Sequence, residues 1–141
     1  MANASSAASS APRADLALLV LRVIVGLVFA VHGCQKLFVF GFGGVIGAFG
    51  HMGVPVATVT GPLITLLEFL GGLALIVGVF TRAAGLLFAV EMLVAMLLVH
   101  AKAGFFAPNG IEFPLTLMAA SAALALGGPG AFALRGGRRG S

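Results

Sequence analysis

The sequence predicts an all-α protein, a four-helix transmembrane bundle with a short interfacial helix after the first span. Three observations lead there. Apolar residues fill 60% of the 141 positions and charged residues only 9%, against roughly 45–50% and about 25% in a soluble domain. So little polar surface cannot cover a water-soluble globule. The apolar residues are also gathered into runs that approach or exceed the ~20 helical residues a bilayer requires. Finally, most basic residues stand at the ends of those runs, where topology signals and contacts to anionic head groups belong.

The formal net charge of +4 does not indicate nucleic acid, because the basic residues are few and form no patch on one element. The single cysteine, Cys34, excludes an internal disulfide, and no CxxC pair exists.

Residues 1–14 are rich in Ala and Ser and are expected to be a disordered tail. Arg22 interrupts what would otherwise resemble a signal-peptide core, and no small-x-small cleavage site follows. The membrane domain is expected over residues 15–130. Its first span covers about Leu16 to Lys36, with Asp15 at the N-terminus, where a negative charge suits the helix dipole. The next stretch, Phe38 to Pro55, holds too many glycines for a continuous span. Val45, Ile46, Phe49 and Met52 still recur at helical spacing, which predicts a short interfacial helix ended by Gly53 and Pro55.

The second span covers about Val56 to Phe80. Gly61, Glu68, Gly72, Leu75 and Val79 share one face of it, and its small residues allow close helix packing. Thr81-Arg82 is a short link, so the second and third spans should form an antiparallel hairpin. The third span runs from about Ala83 to His100, and the segment AKAGFFAPNG is a loop by its Gly, Pro and Asn content. The fourth span covers about Ile111 to Leu126, with Pro114 tolerated near its first turn. Residues 131–141 form a basic, flexible tail. Arg13, Arg82, Arg135, Arg138 and Arg139 fall on one side, and Lys36 and Lys102 on the other. The positive-inside rule then puts both termini in the cytoplasm.

Two polar layers stand out. On the first span Arg22, Gly26, Phe29, Gly33 and Lys36 share a face. Counted at ~1.5 Å per residue from the cytoplasmic ends, Arg22, Glu68 and Glu91 could form an inner charge layer. An unpaired arginine at that depth costs about 2.5–3.5 kcal/mol, so pairing of Arg22 with a glutamate is expected. One of the two carboxyls is expected to carry a proton, since a water-poor site disfavours two negative charges. The layer reads either as a structural pair fixing helix register or as a proton relay or counter-ion. The outer layer gathers His32, Gln35, Lys36, His100 and Glu112 into a candidate ligand-binding cluster, with interfacial anchoring as the plainer reading. No ligand spacing demands a metal. No phosphate-binding loop, dinucleotide fingerprint, haem motif or Ser-His-Asp arrangement is visible, so no catalytic residue is assigned.

The pieces LRVIVGLVFAVHGCQKLF, FGHMGVP, LEFLGGLALIVGVFTR, EMLVAMLLVHAKAGFF and GIEFPLTLMAASAALALGGPG occur in this order. They resemble the DoxX family of small bacterial membrane proteins over roughly residues 16–130. The resemblance implies a four-helix protein of the bacterial inner membrane, linked to quinone- or thiol-dependent oxidoreductases and working within larger membrane complexes. The leading expectation is a component of such a redox system that binds a small molecule near the outer face. A quinone is the candidate cofactor, and a membrane or soluble redox protein, or a second copy of the chain, the candidate partner. No residue set here carries electrons by itself. The alternatives are a non-enzymatic scaffold or assembly partner, and a small proton-coupled carrier. The carrier reading has no apparent inverted repeat to support it.

Overall fold

A computed structural model describes the backbone of residues 3–134, and the side chains from residue 11 onward. Arg135, Arg138 and Arg139 of the expected basic tail lie outside the described residues. Every regular element described is helical. Helix α1 spans Asn3–Cys34 and continues through one π-helical turn, Gln35–Phe40. Its helical backbone therefore begins inside the stretch that composition assigns to a tail, where alanine, the best helix former, is abundant. Gly41 then takes a positive φ of 68°, and the chain turns into the short helix α2, Gly41–His51. This is the helix expected after the first span. Val45 is buried and, with Ile46, lies against Gly61 of the next helix.

Helix α3, Ala57–Val77, descends and ends at Gly78, whose φ of 89° and N–H bond to Ala74 O form a left-handed cap. Helix α4, Thr81–Ala95, ascends into a second π-helical turn, Met96–His100, and a single 3₁₀ turn, Ala101–Ala103. Helix α5, Glu112–Gly127, descends and is capped at Gly128, φ 77°. Three helical stretches, Ala11–His51, Ala57–Val77 and Thr81–Ala103, are long and apolar enough to cross a membrane, and α5 is a shorter apolar helix. Val20, Ile24, Leu27 and Val31 form an exposed apolar stripe on α1, a surface suited to lipid.

The packing is organised in pairs. Helix α1 packs chiefly on α3, and α4 chiefly on α5; α3/α4 and α1/α5 contacts are sparser. The expected α3–α4 hairpin is thus a sequential connection more than a tight packing unit. Within each pair the backbones nearly touch. A Cβ on Gly26 would lie 2.7 Å from Gly72 O, and one on Gly85 would lie 2.7 Å from Ser121 O. Such approaches use small residues because van der Waals contact has to replace a hydrophobic drive that lipid does not supply.

These correspondences run through the whole chain. Gly26-Leu27-x-Phe29-Ala30-Val31 in α1 repeats as Gly85-Leu86-x-Phe88-Ala89-Val90 in α4. Buried Arg22, Val25, Gly26, Phe29 and Gly33 of α1 match buried Thr81, Ala84, Gly85, Phe88 and Met92 of α4. In α3, buried Thr65, Glu68, Gly72 and Leu75 match Pro114, Leu117, Ser121 and Leu124 of α5. Both ascending helices end in a π-helical turn and both descending helices at a glycine of positive φ. The chain is built as two successive helix pairs in parallel orientation. They meet where the equivalent rings of Phe29 and Phe88 stack, with centroids 3.7 Å apart and planes 2° from parallel.

Candidate functional site

Side-chain direction decides how the polar residues group. In an α-helix each Cα–Cβ bond tilts towards the N-terminus. On α1 this turns Arg22 towards the end of the bundle that holds the termini, and Lys36 from the opposite, distal end into the interior. The expected layers are rearranged accordingly.

Arg22 does not pair with a glutamate. Only 1% exposed, it donates from Nη1 to Leu75 O and Ile76 O, each at 3.1 Å, and from Nη2 to Phe132 O at 2.8 Å. Its charge thus meets the carbonyl end of α3, the negative end of that helix dipole. Residues 131–134, assigned by sequence to the tail, fold back against the same end. Leu134 N donates to Val77 O, and Ala131 N donates to Asp15 Oδ1. In the second pair Arg82 is used similarly, donating from Nη1 to Ala125 O and Leu126 O at the end of α5.

Lys36 leaves the expected outer cluster and forms an ion pair with Glu68, Nζ to Oε2 at 2.5 Å. The Lys36 side chain is 20% exposed and that of Glu68 5%, so the pair is largely removed from solvent. The ring of Phe49, on α2, lies 6.0 Å from the same ammonium, at the outer limit of a cation–π contact. Glu91, reaching in from α4, sets its carboxyl beside that of Glu68. Its Oε2 is buried and has no partner among the described residues. Three helices therefore converge on one ammonium and two carboxyls. Glu68 and Glu91 come together as the inner layer anticipated, with Lys36 as their cation in place of Arg22.

The remaining outer residues do not form one cluster. His32 is exposed; its Nδ1 lies 2.9 Å from Val28 O, and its ring is 6.4 Å from that of Phe113. Gln35 is exposed. His100 Nδ1 lies 2.7 Å from Asn109 O, so this histidine ties down the loop before α5. Glu112 accepts a hydrogen bond from Ala107 N through Oε1 at 2.9 Å. A shallow recess of about 400 Å³ opens beside it, lined by Phe105, Ala107, Glu112, Phe113, Leu115 and Thr116. Cys34 is exposed. No group of three or more His, Cys, Asp or Glu side chains suited to a metal occurs among the described residues.

Sequence reasoning missed the Lys36–Glu68 pair because it counted depth from Cα positions and ignored the tilt of a long side chain. It missed the Phe29–Phe88 stack because the repeated Gly-Leu-x-Phe-Ala-Val was not compared with itself. That comparison would have marked both rings as equivalent.

The DoxX family model matches residues 17–101. A Bacillus subtilis (strain 168) protein named "Putative oxidoreductase CatD" is 37% identical over 114 residues, 81% of this chain and 81% of its own. The Escherichia coli (strain K12) "Inner membrane protein YqjF" is 35% identical over 124 residues, 85% of this chain and 90% of its own. No solved structure matches the chain. With its helical membrane bundle and a family match across most of its length, the chain belongs to the DoxX family.

Proposed function

We propose that this protein is an inner-membrane component of a quinone- or thiol-linked redox system, in which the Lys36–Glu68–Glu91 cluster holds the proton that accompanies electron transfer. The observation carrying this reading is the charge balance of the cluster. One ammonium offsets one carboxylate, and a second uncompensated negative charge away from water is costly. A hydrogen bond between two carboxyls needs a proton on one of them. A proton held between Glu68 and Glu91 meets both demands and makes the cluster neutral.

The electrons have to come from a bound group or a partner, since one cysteine cannot cycle through an internal disulfide. A quinone fits the residues present. Oε2 of Glu91 is buried and unpartnered among the described residues, so a quinone oxygen would reach it by parting α3 from α4, whose contact is sparse. When bound, a quinone supplies two-electron chemistry that takes up or releases protons. A membrane or soluble redox protein then completes the system, and the name of the Bacillus subtilis relative points the same way. Both termini face the cytoplasm in this reading. Arg13 and Arg82 lie at the terminal end, and Lys36 is drawn into the bundle, which leaves Lys102 as the cation on the distal side.

The test is gentle purification from bacterial membranes, with mass spectrometry of extracted quinones and co-purifying proteins, followed by assays of quinone and thiol turnover. Retained quinone, or turnover that falls in Glu91→Gln while the fold persists, is the expected result. No bound quinone together with no quinone or thiol activity overturns the proposal.

A further inference from the structure

The two halves of the chain differ most at their distal connections. In the first half the π-helical turn leads into the eleven-residue α2, whose Val45 and Ile46 lie against Gly61 of α3. In the second half the equivalent turn is followed only by the 3₁₀ turn Ala101–Ala103 and a loop. The distal end of α5 has no counterpart of α2, and the recess beside Glu112 opens there.

That recess is built on a tied framework. Gly110 N donates to Phe106 O, Ile111 N to Gly104 O and Glu112 N to Phe105 O. His100 holds Asn109 from the end of α4. Inside this frame Glu112 Oε1 is fixed by Ala107 N, while its second oxygen has no protein partner among the described residues. Among the described residues no Lys or Arg pairs with Glu112; the ion pair described is Lys36–Glu68. Phe105 and Phe113, 50% and 48% exposed, supply phenyl surface on the walls. The faces of such rings attract cations, and a carboxylate pairs with an ammonium through charge-assisted hydrogen bonds.

We propose that the distal recess is a binding site for an alkylammonium group, held by the Glu112 carboxylate against the rings of Phe105 and Phe113. The recess lies at the end of the spans, at head-group depth, so the ammonium can belong to an ethanolamine lipid or to a free amine. The proposal stands apart from the redox reading, because none of its residues belongs to the Lys36–Glu68–Glu91 cluster.

The experiment is native mass spectrometry of the full-length detergent-solubilised protein. It is titrated with phosphatidylethanolamine, with phosphatidylglycerol of the same acyl chains, and with free propylamine. Wild type should prefer the ethanolamine lipid. Glu112→Gln keeps a carbonyl oxygen for Ala107 N–H, so the loop is retained, yet it should weaken ammonium binding about tenfold or more. Phe113→Leu, which keeps apolar bulk without a ring, should weaken it less. Propylamine that binds and displaces the lipid, and loses affinity in Glu112→Gln, also supports the site and identifies a soluble amine as its ligand. Equal binding of both lipids with no propylamine binding overturns the proposal, as does unchanged ammonium binding in a folded Glu112→Gln protein.

Discussion

The two helix pairs share one scaffold and differ in what they hold. In the first half Lys36 and Glu68 pair, and Glu91 joins them from the second. At the equivalent positions of the opposite groove stand Ala95, Leu117 and His32. By contrast, the close-contact glycines Gly26 and Gly85, the rings Phe29 and Phe88 and the caps Gly78 and Gly128 occur in both halves. Features present twice hold helices together. The polar cluster is present once, and this sets it apart from the shared framework without any appeal to a relative.

The sharpest way to test that division is to break the framework in both halves. Gly26→Leu and Gly85→Leu each drive a side chain into the backbone of the partner helix, which no rotamer change relieves. Both should abolish the folded monomer, or reduce stability by more than the about 1–3 kcal/mol of ordinary overpacking, as read by unfolding in mixed micelles. An unaffected Gly85→Leu protein would remove the equivalence of the pairs. A second experiment addresses the feature present once. Lys36→Met leaves Glu68 buried without its cation and should destabilise by about 3–5 kcal/mol. Lys36→Met combined with Glu68→Met should recover most of that loss, while losing the redox-linked activity proposed above. A double variant that stays active would make the cluster purely structural. The third test concerns the capping arginines. Arg22→Met strands buried carbonyls and should cost about 3 kcal/mol. Arg82→Met, at an exposed helix end, should cost about 0.3–1 kcal/mol. Equal effects would contradict the difference in burial.

Much of the architecture could be read from the sequence, because composition and run length answer directly to the bilayer. The short helix between Phe38 and Pro55 was also legible: Val45, Ile46, Phe49 and Met52 mark a helical face, and Gly53 marks its end. The site was legible only in part. Glu68 and Glu91 were expected at a common depth and do meet. Arg22 and Lys36 were assigned to the wrong layers because each side chain reaches towards the N-terminus of its helix, several ångströms from its Cα. That His100 and Glu112 both tie down the loop before α5, with only Glu112 lining the recess there, depends on the backbone of residues 104–112. No periodicity encodes that path.

The bonding of Arg22 also bears on how the chain is made. Two of its acceptors, Leu75 O and Ile76 O, enter the membrane with α3. The third, Phe132 O, belongs to a residue synthesised after the last helix. During translation the first helix therefore carries a guanidinium whose third described acceptor arrives only after α5 has been made. The segment after α5 therefore adds the last of these described contacts, and it adds it at α1.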